Sequence, residues 1–455
     1  MNENKMATMN IPRLFFAMAL PAIVGQVINI LYNMVDRIFV GQMPDVGALA
    51  ITGMGVSMPI ITLISAFSSF VGMGASPLAA IRMGEGKTDE AERILSNSVS
   101  LLLGFSIILT AIFYYFRVPI LTAFGASENT LPYALEYTEI YVLGTVFVQL
   151  ALGLNPMISF QGYALTSMLT VTIGAVLNII LDPILIYGFD MGVRGAAIAT
   201  VFSQAVSAFW VIRFLVGHKS KIRIRRRWLK PQLKTVSSIL LLGISPFIMQ
   251  STESLLTVTF NRQLLQFGSD LYVGAMSILA TVSSLMFLPL VGFTQGAGPI
   301  LSFNYGARDP KRVREAFKVL FTCCMGYSML FYVLIMLFPT PIVRLFTADQ
   351  TLINATLWAL RIYMALYFIL GAQIACQQSF IALGQARISL FLALLRKIIL
   401  LIPLILLLPN FFQDKVFAVF LAEPVADLLA AMCTVIFFFR FFNQKMREME
   451  ASVEG

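Results

Sequence analysis

Charged side chains are scarce in this sequence: Asp, Glu, Lys and Arg together make up 12% of the 455 residues, while 58% are hydrophobic. Soluble globular proteins carry about 25% charged residues, so the composition argues against a soluble domain. Instead, apolar stretches of roughly 20 residues, the length that crosses a bilayer, recur along the whole chain. The composition therefore predicts an integral membrane protein.

Histidine and cysteine are rare as well, and this excludes several kinds of site. The one histidine, His218, rules out a metal site built from several histidines and leaves a Ser-His-Asp triad little to work with. The four cysteines all lie in apolar stretches and show neither metal-site spacing nor a disulfide framework. They are Cys323, Cys324, Cys376 and Cys433. From these absences we predict a protein that is not an enzyme and holds no cofactor.

Twelve apolar spans follow one another along the chain, six in each half. Each is long enough to cross a bilayer as a helix. The first is too long for the core of a signal peptide and no small-residue cleavage site follows it, so we expect it to be retained. The spans cover residues 14–40, 47–78, 92–116, 131–155, 157–187, 194–216, 238–267, 272–302, 314–338, 352–382, 387–409 and 415–441.

The net charge of +9 is distributed unevenly among the loops. Its densest part is a basic linker, residues 217–237, and more Lys and Arg follow the second and eighth spans, while the alternate loops contain few. Because Lys and Arg accumulate in cytoplasmic loops, we predict a multi-pass protein of the cell membrane with both termini in the cytoplasm. The RIRRR run of the linker is best explained as a topology determinant and an anchor to anionic lipid, not as a nucleic-acid site.

The two halves of the chain repeat one another. When Pro21 is set against Pro246, Leu20–Arg37 aligns with Ser245–Arg262, and later segments keep the same phase. Two parallel copies in an apolar chain are typical of secondary transporters, whose substrate site lies between the halves. We predict an all-α membrane protein of twelve transmembrane helices in two pseudo-symmetric six-helix bundles. Its parts are an N-terminal lobe at 1–216, the linker at 217–237 and a C-terminal lobe at 238–455.

Asp36 is the most informative single residue, because it is a carboxylate inside an apolar span. It lies about fifteen residues, or ~22 Å of helix, after Pro21. A charge in hydrocarbon costs on the order of 3 kcal/mol, so such a residue is expected to face a cavity or a partner and to mark an ion path. The alternative is an interface position beside Arg37, although successive helix residues point ~100° apart and need not pair.

Asp182 is the second candidate, in the segment LNIILDPILI. Asn178 precedes it by one helical turn, so we expect both side chains on one face. A carboxylate with an amide oxygen suits a hard cation such as sodium, and the same pair can instead hold a proton. The alternative is a polar clamp between helices or an end cap near the outer surface.

Several charged residues lie within spans of the second half. Glu253 is either a contact for a cationic substrate, a proton site or the partner of a basic residue. Arg396 and Lys397 need a counter-ion inside the membrane, which Glu253 or Glu423 can supply. Glu423 and Asp427, one turn apart, are secondary candidates.

Taken together, these segments resemble the bacterial multidrug and toxic compound extrusion (MATE) family. The resemblance covers residues 12–440 and depends on the twelve spans, the basic linker and three segments. These are Leu20–Gln42 with LPAIVGQ and YNMVDRIFVGQ, Gly72–Arg93 with GMGAS and RMGEGKTDEAER, and Asn178–Thr200 with NIILDPILIYGFDMGVRGAAIAT. It implies the fold predicted above and an ion-coupled transport activity.

The resemblance also implies a cation site in the N-terminal lobe, as in the DinF-like branch of that family. The positions that match it here are Asp36, Asn178, Asp182, Thr200, Tyr137 and Asn155. If the ion is sodium, its ligands are expected from Asp36, Asn178 and Asp182; a proton is the alternative. Pro21 matches the proline at which the family bends its first helix.

A second-lobe site, as in the NorM-like branch, is matched only in part. Glu253 resembles the glutamate of that site, but Gly371–Gly384 has no acidic residue. We therefore expect Glu253 to be an accessory group or a substrate contact. Other side chains near the proposed polar centres are expected to contact substrate. They are Tyr32, Asn33, Met249, Gln250, Gln373 and Gln377.

The sequence as a whole predicts a secondary multidrug efflux transporter. It would exchange amphipathic, often cationic, organic compounds for protons or sodium, and act as a monomer without nucleic-acid partners. Two alternatives remain at this stage. One is a flippase of the same superfamily for lipid-linked saccharides, which favours a more cationic cavity; the other is a polytopic membrane enzyme, which needs a catalytic cluster in an interfacial loop.

Overall fold

The structure of the protein, a computed structural model, is helical in all regular parts of the residues that it describes. It describes residues 5–44 and 46–454, with every side chain in these ranges except those of residues 48, 254 and 452–454. A chain in a bilayer must satisfy its backbone N–H and C=O groups within each segment, and a helix does so. The predicted all-α membrane fold is confirmed.

Twelve spans are present in the described residues when bent helices are counted as single spans. Ten helices are long and apolar enough to cross a membrane, and two further spans are pairs of helices joined at a bend. The bend is 60° between Leu131–Leu143 and Thr145–Ser159, and 49° between Gln350–Tyr363 and Tyr367–Ala382. The repeat therefore extends to local structure, since each half contains one bent span.

The chain forms two units by its internal contacts. The N-unit is Leu20–Gln250, and the C-unit is Met1–Ala19 together with Ser251–Gly455. The lobe boundaries that the repeat predicts, at residues 216 and 238, stay a prediction. The helices of the first half are α1 (Lys5–Thr8), α2 (Ile11–Gly41), α3 (Gly47–Gly84), α4 (Thr88–Tyr115), α5 (Arg117–Ala123), α6 (Leu131–Leu143), α7 (Thr145–Ser159), α8 (Ala164–Pro183) and α9 (Gly192–Val216).

The second half begins after a short 3-10 turn, Arg226–Trp228. Further 3-10 turns are Tyr367–Ile369 and Leu408–Asn410. The helices of this half are α10 (Leu233–Phe267), α11 (Asp270–Gly306), α12 (Pro310–Leu337), α13 (Pro339–Arg344), α14 (Gln350–Tyr363), α15 (Leu370–Ala382), α16 (Ala386–Leu394), α17 (Ile402–Leu407) and α18 (Lys415–Glu454).

Two of these helices are divided between the units. Helix α2 begins in the C-unit and enters the N-unit at Leu20, beside Pro21, whereas α10 begins in the N-unit and leaves it after Gln250, one turn past Pro246. Proline has no backbone N–H and removes one helical hydrogen bond. Each of the two helices therefore has its weakest backbone close to the residue where it changes units.

Each half also contains one π-helical segment. Ile184–Gly188 follows α8 directly, and Leu395–Leu401 joins α16 to α17. At the first, Pro183 ends the α-helical hydrogen bonding because it has no N–H to donate. A π-helical turn changes the direction in which the following side chains point, and such turns often occur at functional sites.

The basic linker is fastened to the N-unit by α4. Glu92 accepts a hydrogen bond from Arg225 Nε at 2.9 Å and one from the backbone N–H of Arg223 at 3.2 Å. Asn97 Nδ2 donates to the carbonyl oxygen of Trp228 at 2.8 Å. The linker backbone is thus held by buried polar side chains, while most of its basic side chains are at least partly exposed.

Candidate functional site

Asp36 of α2 and Asp182 of α8 come together inside the N-unit. Their carboxyl groups lie within hydrogen-bonding distance of each other, and the two residues are 6% and 0% exposed. The neighbouring Arg37 is exposed, and Asp36 Oδ1 has no hydrogen-bond partner among the described residues. Two buried carboxylates at this separation repel one another unless a proton or a cation neutralises them.

Asn178 connects this pair to α9. Its Nδ2 donates to Asp182 Oδ1 at 3.1 Å and to Thr200 Oγ1 at 3.4 Å. The predicted shared face of Asn178 and Asp182 is confirmed, because side chains four residues apart lie one above the other on a helix. With the amide hydrogens engaged, the amide oxygen of Asn178 remains, and it has no partner in the described part of the chain.

Two tyrosines complete the group. The hydroxyl of Tyr137 on α6 is hydrogen-bonded to Thr200, and it also interacts with Asp36. Tyr32 lies one turn before Asp36 on α2 and interacts with both Asp36 and Asp182. Tyr32 is therefore part of the carboxylate site, which adds to its predicted contact with substrate. We call this group the N-site; its members are Tyr32, Asp36, Tyr137, Asn178, Asp182 and Thr200.

Two glycines allow α9 to approach the rest of the N-site. A Cβ at Gly144, where α6 bends into α7, would lie 2.5 Å from the side chain of Val201. A Cβ at Gly195 would lie 2.8 Å from the backbone carbon of Leu185 in the first π-helical turn. Only glycine permits such close approaches without a shift of the neighbour. They bring Thr200, which is adjacent to Val201, within reach of α6 and α8.

The oxygen atoms of the N-site suit a proton or a hard monovalent cation. Carboxylate, amide and hydroxyl oxygens are the ligands that hard cations prefer. Asp36 Oδ1, Asn178 Oδ1 and Asp182 Oδ2 are buried and have no hydrogen-bond partner among the described residues, so they are the atoms such an ion would contact. Over the same residues, no group of three or more His, Cys, Asp or Glu forms a metal site.

Four predicted residues of the N-unit lie outside this group by their hydrogen bonds. Asn155 is half-buried on α7, and its Oδ1 has no partner within the described ranges. Asn33 is exposed, and its Nδ2 donates to the carbonyl oxygen of Asn29 at 2.6 Å. Met249 and Gln250 are half-buried on α10. The roles expected of Asn155, Asn33, Met249 and Gln250 stay predictions.

The C-unit contains its own buried charged group, between the second π-helical segment and α18. Arg396 Nε donates to Asp427 Oδ1 at 2.8 Å, and a second guanidinium nitrogen lies 3.5 Å from Glu423 Oε1. Lys397 Nζ is bonded to Glu253 Oε1. The prediction that Glu253 or Glu423 supplies counter-ions to Arg396 and Lys397 is confirmed. We call these five residues the C-cluster.

The two glutamines expected to contact substrate in the C-unit are both buried on α15, at 5% exposure. Gln377 Nε2 donates to the carbonyl oxygen of Ser389 at 3.0 Å, which ties α15 to α16. Gln373 Oε1 has no hydrogen-bond partner in the part of the chain that is described. Of the two, Gln373 has the free acceptor that a polar ligand could use.

Three buried tyrosines near the charged groups were not identified from the sequence. Tyr141 stacks on Tyr137 with ring centroids 6.0 Å apart. In the C-unit, Tyr363 and Tyr367 interact with Glu423. Each pair is separated by one helical turn, so tyrosines at helical spacing inside an apolar span are the signal that would have found them.

Known proteins resemble this chain along most of its length. The profile of the MatE family matches residues 21–184 and 246–407. The multidrug export protein MepA of Staphylococcus aureus (strain NCTC 8325 / PS 47) is 25% identical over 425 residues, which are 91% of each chain. MepA of Staphylococcus haemolyticus (strain JCSC1435) is 23% identical over 414 residues, or 90% of each chain.

Solved structures share the fold. The structure of the MATE multidrug transporter DinF-BH in complex with rhodamine 6G is 34% identical, with a TM-score of 0.87, and the match covers 95% of this chain and 96% of that chain. A MATE structure in the bent conformation gives a TM-score of 0.90 at 20% identity, over 97% and 98% of the two chains. At that identity the second likeness concerns the fold alone.

The family assignment agrees with the internal repeat. The two matched segments begin at Pro21 and Pro246, the residues that align the two halves of the sequence. Together they cover more than half of the chain, and each half has its own bent span and π-helical segment. The chain therefore belongs to the MatE family.

Proposed function

We propose that this protein is a secondary multidrug efflux transporter that exchanges amphipathic, often cationic, organic compounds for protons or sodium. The observation that carries the proposal is the N-site, two buried carboxylates within hydrogen-bonding distance in a chain of the MatE family. Charged residues in membrane spans that face one another mark ion pathways. The names of MepA and DinF-BH support the multidrug part.

In this proposal the ion works by removing a repulsion. An ion that enters from outside binds between Asp36 and Asp182 and neutralises them, so that the two helices can approach. Pro21 lies on α2, the helix that carries Asp36, and weakens its backbone at the entry to the N-unit. Ion binding can therefore change the shape of α2. If ion binding lowers the affinity for substrate, substrate binding lowers the affinity for the ion by the same factor.

The proposal extends to orientation and composition. The placement of Lys and Arg supports a cell-membrane protein with both termini in the cytoplasm. The working unit is a single chain, which binds no nucleic acid and needs no cofactor besides the coupling ion. The protein transports its substrates without chemical change, as the family assignment supports.

The flippase alternative is less well supported by the charges. A site for a lipid pyrophosphate favours unpaired cations. In the C-cluster, however, Arg396 is paired with Asp427 and Lys397 with Glu253. Multidrug export is therefore the better proposal.

The test is dye export from cells that express the wild type, Asp36→Asn or Asp182→Asn, with and without a sodium gradient. Ethidium is the probe, and membrane expression of each variant is measured in the same cells. We expect the wild type to lower ethidium accumulation and both variants to lose this activity. Dependence of wild-type export on sodium identifies sodium as the ion, and independence identifies the proton.

Two other outcomes contradict parts of the proposal. If both variants export as well as the wild type, the N-site is structural and does not couple transport to an ion. If the well-expressed wild type exports neither ethidium nor rhodamine 6G, multidrug export is wrong.

A further inference from the structure

The C-cluster contains one more acidic group than basic groups. Its three carboxyl groups, on Glu253, Glu423 and Asp427, meet two basic groups, on Arg396 and Lys397. Glu423 and Asp427 are 5% and 1% exposed. A buried charge without a partner is costly in a membrane span, so the surplus carboxylate requires a further cation.

The geometry identifies which carboxyl group is in surplus. Asp427 Oδ1 accepts from two guanidinium nitrogens of Arg396, each at 2.8 Å, and such bidentate pairs are the strong ones. Glu253 is bonded to Lys397, and its side chain is 65% exposed, so water stabilises its charge as well. Glu423 has only one contact, at 3.5 Å, with Arg396.

The second oxygen of this carboxyl group points to the same conclusion. Glu423 Oε2 is buried and has no hydrogen-bond partner among the described residues. The charged and titratable groups that face Glu423 come from every element packed around it in the C-unit. They are Glu253 of α10, Tyr363 of α14, Tyr367 of the following 3-10 turn, Arg396 and Lys397 of the π-helical segment, and Asp427 of α18 itself.

We propose that Glu423 is a proton-binding site, and that it releases its proton when a cationic substrate binds Glu253. The proposal rests on the proposed function, because it takes Glu253 as a substrate contact. A proton fits this position better than a metal ion for two reasons. Two basic side chains already lie beside Glu423 and would repel a metal cation, and only one carboxyl group lacks a close charge partner.

The exchange balances in charge and in protons. Before substrate binds, Lys397 is paired with the Glu253 carboxylate and Glu423 is protonated. A cationic substrate that binds Glu253 displaces the ammonium group of Lys397 from this carboxylate, and Lys397 also interacts with Glu423. The ammonium group then pairs with the Glu423 carboxylate, and the proton of Glu423 leaves. One cation enters the cluster and one proton departs, which is the stoichiometry of antiport.

Calorimetry tests this exchange on the purified full-length protein. Ethidium is titrated in two buffers of different ionisation enthalpy, and the difference in heat gives the protons released per ethidium bound. All variants carry Asp36→Asn and Asp182→Asn, which removes the N-site. We expect about one proton released per ethidium in this background, since each bound cation displaces one ammonium charge. Adding Glu423→Gln should abolish the release, and adding Glu315→Gln, an exposed glutamate of α12, should leave it unchanged.

The opposite outcomes overturn the inference. Proton release that persists with Glu423→Gln shows that another group carries the proton. Proton release that is absent in the background protein, although ethidium binds, shows that no exchange takes place. These results are distinct from failure of the proposed function, in which the unmodified wild type neither binds nor exports ethidium.

A second measurement does not require any substrate. Infrared difference spectra between high and low pH detect the C=O stretch of a protonated carboxyl group. In the same background, we expect Glu423→Gln to remove one such band, Glu423→Asp to shift it, and Glu315→Gln to leave it in place. If the three spectra are identical, Glu423 holds no proton and the inference is wrong.

Discussion

The carboxyl groups of Asp36 and Asp182 lie within hydrogen-bonding distance, although they come from the first and fifth spans of the N-unit. Both residues are buried, and no ion pair neutralises either of them among the described residues. Like charges this close destabilise the folded protein unless an ion is bound. The N-site therefore links the stability of the protein to ion binding.

The first prediction concerns thermal stability. In sodium-free buffer at alkaline pH, where both carboxyl groups lose their protons, Asp36→Asn removes one of two repelling charges and should raise the unfolding temperature. At acidic pH, where protons neutralise the pair, the gain should disappear. Thermal unfolding of purified protein across the pH range measures both. The exposed Glu128→Gln is the control; a pH-independent effect of Asp36→Asn would show that charge repulsion is not the cause.

The second prediction concerns Asn178, whose amide oxygen is free for an ion. Asn178→Leu keeps the volume but removes that oxygen and the hydrogen bonds to Asp182 and Thr200. We expect about a tenfold higher ion concentration for half-maximal export, equivalent to about 1.4 kcal/mol. Export from vesicles at graded sodium and pH gives this value. Asn354→Leu, on the exposed face of α14, should leave it unchanged, and an equal effect of both substitutions would contradict the assignment.

Local spacing made part of the N-site predictable. Asn178 and Asp182 are four residues apart, and helix geometry alone places them on one face. Tyr32 is also four residues before Asp36, yet sequence spacing does not tell which face of α2 turns toward α8. That orientation depends on packing between helices, including the close approaches at Gly144 and Gly195.

The C-cluster was predictable only as a need for counter-ions. Charge inside the membrane requires pairing, and this correctly pointed to Glu253 and Glu423 as partners of Arg396 and Lys397. The strong pair of Arg396 with Asp427 was not predicted. The sequence does not announce the π-helical segment Leu395–Leu401, which changes the direction of the side chains within it.

The third prediction concerns the basic linker. Glu92 has a side-chain exposure of 5% and holds Arg225 and the backbone of Arg223, whereas Asp89, at 73%, forms an exposed pair with Arg227. Exposed pairs contribute about 0–1 kcal/mol, and a buried donor left unpaired costs about 1–3 kcal/mol. Glu92→Ala should therefore speed tryptic cleavage of the linker several-fold, and Asp89→Ala should do so little. Limited trypsin digestion followed by mass spectrometry compares them; equal rates would mean that Glu92 does not fasten the linker.

The fourth prediction concerns the approach of α9 to the first π-helical turn. In Gly195→Ala the new Cβ would lie 2.8 Å from the backbone carbon of Leu185, a contact that backbone atoms can relieve only by moving apart. Thr200 would move with α9 and lose its contact with Asn178, so both the unfolding temperature and the response of export to ions should fall. Gly104→Ala is the matched control, since its Cβ meets no heavy atom within 4 Å, and in a helix it should stabilise by about 0.5–1 kcal/mol. If Gly195→Ala is as stable as Gly104→Ala and keeps its ion response, the position of α9 does not determine the geometry of the N-site.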